Sequence, residues 1–289
     1  ALRSLGFNRT EVGTIPYEPW KGNPGRPRIW RFPETSSMVN YIGLEDVGAE
    51  QVAKNLSKYG SHNIPIRINV MATPGKTGKA ALDDIASTIR ATRDLHMVDE
   101  DVINISCPNT EHNLDKKKAF RSDLEDYLYV ARNEIRSYQR LGAKISPDTS
   151  EEECEIIIDT GIKYGISFII ATNTTKLHLP QYINKSPGVG GASGAAVYDL
   201  SLKVQRMFET KLDEVDKEGR IKIVAVGGID SAEKFIERTT QTKARKVGVI
   251  YPTEDLRERQ RSPRVEEIQI YTGFIFRGPK LLQELRRVA

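Results

Sequence analysis

The sequence predicts an α/β fold, a TIM (β/α)8 barrel lacking its first strand. Three observations lead there. Short β-branched runs alternate with longer amphipathic stretches, which argues for parallel strands joined by helical crossovers. Seven such strands can be counted where a barrel of this type has eight. The opening ALRSLGF reads like the end of a helix already under way, so the missing strand is expected before residue 1.

Taken in order, the candidate strands are Thr10–Gly13, Ile64–Val70, Val102–Ile105, Ala143–Ser146, Phe168–Thr172, Ile223–Val226 and Ile268–Tyr271. Helical periodicity covers Ala81–Leu95, Leu124–Leu141, Glu151–Tyr164, Leu200–Val215 and Ser231–Arg238. Pro279–Val288 closes the chain as a helix with proline in its first turn. Residues 1–289 are read as one domain, with two interruptions. The Pro- and Gly-rich stretch Ile15–Gly43 holds both tryptophans and is expected to be an ordered long loop. Thr240–Glu267, crowded with Arg, Lys and Glu, is expected to be a solvated insertion before the last strand, with a partner-binding loop as the alternative.

Bulk composition narrows the function classes. Of 289 residues, 38% are hydrophobic and 28% charged, which suits a globular chain with a sizeable core. A net charge of +4 is too mild to argue for nucleic acid. Two distant cysteines make no disulfide framework, and a reducing compartment fits them better. No apolar run approaches the roughly 20 residues of a membrane span.

Chemistry concentrates just after the predicted strands. Asn69 ends IRIN, Asn104–Thr110 (NISCPNT) follows DVI, and Lys144 lies in AKIS. Thr172–Thr175 follows FIIA, Gly227-Gly228 follows IVAV, and Tyr271-Thr272-Gly273 follows EIQI. The C-terminal strand ends of a parallel barrel are where ligands bind. Six of them carry such residues, and a packed core does not ask for Asn and Lys there. Barrels of this class often hold a phosphate in the loops after strands seven and eight, where glycine lets backbone amides approach an anion. Gly227-Gly228 and Thr272-Gly273 occupy those loops, and Gly188–Gly194 (GVGGASG) adds a flexible Gly-Ser loop near the same rim.

Cys107 lies directly after a strand among hydrogen-bonding residues. A buried structural thiol is one reading of it; a proton acceptor, if the site favours the thiolate, is the other. Cys154 falls in a helical apolar pattern and reads as core. His62, His96, His112 and His178 share no metal-ligand spacing. His112 and His178 sit in rim loops.

Together these motifs resemble the dihydroorotate dehydrogenase family. EVGT (Glu11–Thr14), GNPGRPRIWRFPE (Gly22–Glu34), NISCPNT, AKISPD (Ala143–Asp148), ATNTT (Ala171–Thr175), GGASG (Gly190–Gly194), VGGI (Val226–Ile229) and YTGFIFRGP (Tyr271–Pro279) carry the likeness from about Gly6 to about Leu282. The second and last look most like class 2, the membrane-associated, quinone-reducing branch. The resemblance implies FMN as cofactor, dihydroorotate as substrate, a role in pyrimidine biosynthesis and a quinone acceptor. It implies peripheral membrane contact if class 2 holds, and a cytoplasmic location otherwise.

Carried over by position, the resemblance places Gly13 and Thr14 along the flavin. Asn69 and Asn104 would touch flavin and orotate. Asn40, with Gly43 beside it, Asn109, Asn173 and Thr174 would meet the substrate. Thr172 would reach the flavin. Ser193, Gly194, Gly227, Gly228, Tyr271 and Thr272 would hold the ribityl phosphate. Lys144 would stabilise the reduced flavin electrostatically, and Cys107 would be the base.

Three departures accompany the likeness. Cys at the base position is the class 1 habit, whereas class 2 carries Ser. The family's first strand, with the Lys at its end, is absent from this chain, as are the helices of the class 2 quinone tunnel. TEHNLDKKKAF replaces the usual PGLR continuation, and VNYIGLED replaces NRxGFNN, so Leu44 and Glu45 would alter the substrate pocket. Two alternatives therefore stay open: a related flavin oxidoreductase acting on another small cyclic substrate, and a non-catalytic barrel that binds a ligand or partner.

Overall fold

The computed structural model describes residues 2–58, 64–105, 116–240 and 261–289. A short helix α1 (Leu2–Leu5) leads into β1 (Thr10–Ile15). Next come β2 (Ile29–Phe32), β3 (Ser37–Asn40), α2 (Ala49–Ser57), β4 (Ile66–Val70), α3 (Gly78–Thr92), β5 (Val98–Asn104), α4 (Lys116–Glu134) and β6 (Arg140–Ile145). The second half runs α5 (Glu151–Tyr164), β7 (Phe168–Ala171), β8 (Gly191–Gly194), α6 (Tyr198–Val215), β9 (Lys222–Val226), α7 (Ala232–Thr239), β10 (Val265–Gln269), α8 (Thr272–Arg277) and α9 (Pro279–Arg286).

Seven strands form one all-parallel sheet in the order β1-β4-β5-β6-β7-β9-β10. This is the α/β barrel with one strand lacking, and its two edges are β1 and β10. Side chains span the gap between them. Gln269 of β10 donates to Glu11 of β1 at 2.9 Å, and Arg9 lies 3.5 Å from Glu267. Every residue of β4 is buried, as expected where helices cover one face and the barrel interior the other. Ile85 and Ile89 of α3, Leu124 and Leu128 of α4, Ile157 of α5, and Phe208 and Leu212 of α6 supply the outer core.

The interior is partly ionic. Arg67 of β4 donates to Glu100 of β5 at 2.7 Å and, through both terminal nitrogens, to Glu267 of β10 at 3.1 and 3.0 Å. Arg140 of β6 reaches Glu100 at 2.8 Å. Both guanidinium groups lie against the buried Phe168 ring, 4.5 and 5.1 Å from its centroid. Burial opposes the charge on Arg67, but Glu267 and Glu100 outweigh it and hold the guanidinium more firmly protonated than usual.

All seven predicted strands exist, and four expectations need correction. The helix expected over Leu124–Leu141 stops at Glu134, because Arg136 and Gln139 close a turn before β6. The Gln139 amide donates to the Arg136 carbonyl, and the Arg136 amide donates to the Gln139 side chain. The last strand begins at Val265, not Ile268, and ends at Gln269, so Tyr271 lies beyond it and Val265–Glu267 belong to the strand rather than the insertion. Glu267 disguised that start, since it faces Arg67 across the barrel. The long loop Ile15–Gly43 contains two strands, β2 and β3. Finally, the Gly-Ser loop contains β8, which pairs antiparallel with β3 in a separate three-stranded sheet. That sheet is nearly apolar around Phe32, Val39, Ile183 and Ala192, and it rises beside the barrel mouth. Of Thr240–Glu267, residues 241–260 lie outside the described residues. Among the described residues no helix is long and apolar enough to cross a membrane.

α5 matches its predicted bounds because its ends are chemically marked. Ser150 accepts from the Glu153 amide while the Glu153 side chain accepts from Ser150, a complete capping box, and Gly165 terminates the helix.

Candidate active site

The C-terminal strand ends gather two groups of residues. The first is a polar ring. Lys144 Nζ donates to Glu11 Oε1 at 2.7 Å, Asn69 Nδ2 donates to the same oxygen at 2.8 Å, and Gln269 Nε2 donates to Glu11 Oε2. Asn104 Nδ2 donates to Thr14 Oγ1 at 2.9 Å, and Asn173 Nδ2 approaches Asn104 Oδ1 at 3.4 Å. Gly13 packs against the Asn69 carbonyl. Burial alone would raise the Glu11 carboxyl. The Lys144 charge, helped by Gln269 and Asn69, outweighs that and holds it below the ordinary carboxylate range. Glu11 is thus a carboxylate whose partners are three donors from three other strands.

The second group is a glycine cradle. Gly227 and Gly228 follow β9 with φ of 120° and 70°, a region that side chains rarely adopt. A Cβ on Gly228 would strike the Gly194 carbonyl and the Tyr198 side chain, each at 2.7 Å. One on Gly227 would lie 2.5 Å from Ser201 Oγ. Thr272 Oγ1 donates to Ser193 Oγ at 3.0 Å, which ties α8 to β8. Three loops therefore converge, and at Gly194, Gly227 and Gly228 the packing leaves no room for a Cβ.

Thr172 is buried beside Asn173, and the Thr174 amide donates to Asn173 Oδ1 at 2.8 Å. Asn40 lies at the junction of the groups, its amide 3.5 Å from the Gly191 carbonyl, while Gly191 faces Thr174. Two expected residues stand apart. Gly43 packs on Asn23, and the Tyr271 side chain is 75% exposed, so only its backbone could serve the cradle. Glu45, expected to alter the substrate pocket, is half exposed and paired with Arg28. His178 clips its own loop, with contacts to Ser186 Oγ and the Gly190 carbonyl. Cys154 is buried core, its thiol pushed up to about 12 by burial. Cys107, Asn109, His62 and His112 lie outside the described residues.

Several participants were not foreseen. Glu11 lies inside the EVGT motif, and an acid within a strand pattern is the signal that points to it. Gln269 lies two residues before the expected rim at Tyr271. Ser201 and Arg238 gave no signal, because both sit in helical patterns that read as ordinary.

The donor set fits a ligand with a polar planar head and an anionic tail. Asn69 is 1% exposed, and its Oδ1 has no hydrogen-bond partner among the described residues. Buried amide oxygens are normally satisfied, so this one is suited to a ligand donor. The glycine backbones offer the close amide approach that an anion requires.

Comparison with known proteins gives the same direction. A family model described as dihydroorotate dehydrogenase matches residues 1–249. A relative from Corynebacterium efficiens named dihydroorotate dehydrogenase (quinone) is 30% identical over 288 residues, 98% of this chain and 67% of the relative. One of the same name from Mycobacterium sp. (strain KMS) is 32% identical over 242 residues, 82% of this chain and 64% of the relative. The chain thus spans about two thirds of the length of these relatives. The crystal structure of DHODH in complex with ferulenol from Eimeria tenella superposes with a TM-score of 0.78, covering 98% of this chain and 74% of that one. At 23% identity that likeness concerns the fold.

Proposed function

Because the chain belongs to the dihydroorotate dehydrogenase family, we propose that it oxidises dihydroorotate to orotate on bound FMN and passes the electrons to a quinone. The observation that carries this reading is the polar ring around Glu11 set beside the glycine cradle. Asn69, Asn104, Lys144 and Thr14 are suited to the flavin head. Ser193, Gly194, Gly227, Gly228 and Thr272 are suited to its phosphate. Asn173, Thr174, Asn40 and Asn109 are left for the pyrimidine.

FMN supplies the two-electron acceptor when bound. The chain supplies orientation and proton handling. Cys107, which follows β5 in sequence, removes the proton from the ring CH2 of dihydroorotate as hydride leaves the neighbouring carbon. A thiol serves here only as thiolate, which a cationic neighbourhood favours. Lys144 stabilises negative charge arising in the ring system. Asn104 and Asn173, already within reach of each other, fix the substrate plane and so convert a collision into a positioned reaction. The quinone acceptor is supported by the names of the relatives, and a lipid-soluble acceptor would favour a peripheral membrane location.

The test is dihydroorotate-dependent reduction of a soluble quinone by the FMN-loaded protein and by Cys107→Ala. Turnover by the wild type, with a loss on the order of 10²–10⁴-fold in the variant, is expected. Full activity of Cys107→Ala would remove Cys107 as the base. Turnover with NAD but not with quinone would overturn the acceptor.

A further inference from the structure

Among the described residues three arginines are buried, and two have carboxylates. Arg67 is paired with Glu100 and Glu267, and Arg264 with Asp213 and Asp216. Arg238, at 0% exposure near the end of α7, has no ion pair among the described residues. Its Nη1 donates to Ser201 Oγ at 2.8 Å, and its Nη2 donates to the carbonyls of Ala171 at 2.9 Å and Val226 at 2.8 Å. Its Nε has no hydrogen-bond partner among the described residues. The nearby acids are engaged elsewhere. Glu209 accepts from Gln205 and Arg206, and Glu237 accepts from Tyr198.

A buried cation with no ion pair among the described residues is costly, and its retention needs a reason. The acceptors it holds are the last residues of β7 and β9. Thr172 and Gly227 follow them directly, and Ser201 Oγ itself lies 3.3 Å from the Gly227 carbonyl. The guanidinium therefore sits immediately beneath the glycine cradle.

We propose that Arg238 is a positioning residue for the anionic tail of the flavin, a buried positive charge that favours a phosphate in the cradle without touching it. This rests on the FMN reading above. Backbone amides grip the phosphate in that reading, and Arg238 adds a field in a region of low dielectric, where a charge acts over a longer range than in water. Arg238 also ties together the ends of the two strands that launch the cradle loops. Burial lowers its affinity for the proton, to about 10, which still leaves it charged at neutral pH.

The test compares FMN with riboflavin, which lacks only the phosphate, by equilibrium titration of the apoprotein. The variants are Arg238→Gln, which keeps hydrogen-bond donors without charge, Arg238→Met, and Arg238→Lys, which keeps the charge. The neutral variants should bind FMN weaker by on the order of tenfold, with riboflavin affinity unchanged. Arg238→Lys should keep most of the preference for FMN. Parallel losses for both ligands would reduce Arg238 to a structural brace, and unchanged FMN affinity in a folded neutral variant would overturn the proposal outright. If the neutral variants fail to fold, loss of the FMN preference in Arg238→Lys would count equally against it. Wild-type protein that binds neither ligand would instead sink the flavin reading and this inference with it.

Discussion

Lys144 Nζ donates a 2.7 Å hydrogen bond to Glu11 Oε1, which places an acid-base pair where the polar ring meets the open side of the barrel. The carboxylate offsets part of the positive charge that Lys144 would offer to a flavin. Glu11→Gln keeps an acceptor for Lys144 and Asn69, lets a turned-over Gln269 amide accept from its new NH2, and removes that offset. The midpoint potential of bound FMN should then rise by roughly 30 mV, equivalent to about 1.4 kcal/mol for a two-electron couple. Anaerobic dye-linked redox titration measures it. An unchanged or lowered potential would show that Lys144 does not act on the cofactor electrostatically.

Asp101 offers a pH signature remote from the site. It is fully buried in β5, neither carboxylate oxygen has a hydrogen-bond partner among the described residues, and burial, with Asp99 and Glu100 nearby, pushes its pKa from 3.8 up to about 7. The folded chain therefore binds this proton more tightly than the unfolded chain. The stability it contributes is full below the unfolded pKa and is lost as pH rises towards 7, with a limiting slope of about 1.4 kcal/mol per pH unit. Asp101→Asn should flatten that loss and raise stability at pH 8 relative to wild type. Urea denaturation from pH 5 to pH 8 reads it, and parallel pH profiles for the two proteins would contradict it.

Phe168 is the hinge of the ionic interior, touching Arg67 and Arg140 and facing Gly142, where a Cβ would collide with its ring. Phe168→Ala should cost about 4 kcal/mol, since it empties a buried site and strips two arginines of their aromatic contact. Phe168→Leu should cost less than half as much. Denaturant midpoints at fixed m value give both figures.

Gly228→Ala tests the cradle. Its φ of 70° and the 2.7 Å approach to the Gly194 carbonyl force a backbone shift for any side chain. A destabilisation of roughly 1–3 kcal/mol is expected, together with loss of FMN binding. A folded variant that retains wild-type FMN affinity would place the phosphate elsewhere.

Much of the barrel could be read in the sequence, because buried parallel strands are short β-branched runs and α5 carries both its caps in plain view. The polar strand ends were legible for the same reason, since Asn69, Asn104 and Lys144 interrupt apolar runs. What escaped was non-local. β2 and β3 pair locally within a Pro- and Gly-rich stretch, but β8 joins them only by pairing across some 150 residues, and Gly191–Gly194 has no strand propensity of its own. Glu267 read as a solvated charge because its partner, Arg67, lies 200 positions away. Arg238 ends a helix of mixed charge, and nothing local distinguishes a guanidinium that turns inward from one facing water.

The flavin spectrum of FMN-loaded protein, mixed with dihydroorotate in the absence of oxygen, tests the central claim most directly. Prompt bleaching of the oxidised-flavin absorbance is expected in the wild type, and its loss at neutral pH is expected in Cys107→Ala. Bound flavin that keeps its full absorbance with excess dihydroorotate would contradict the assignment of substrate and site together.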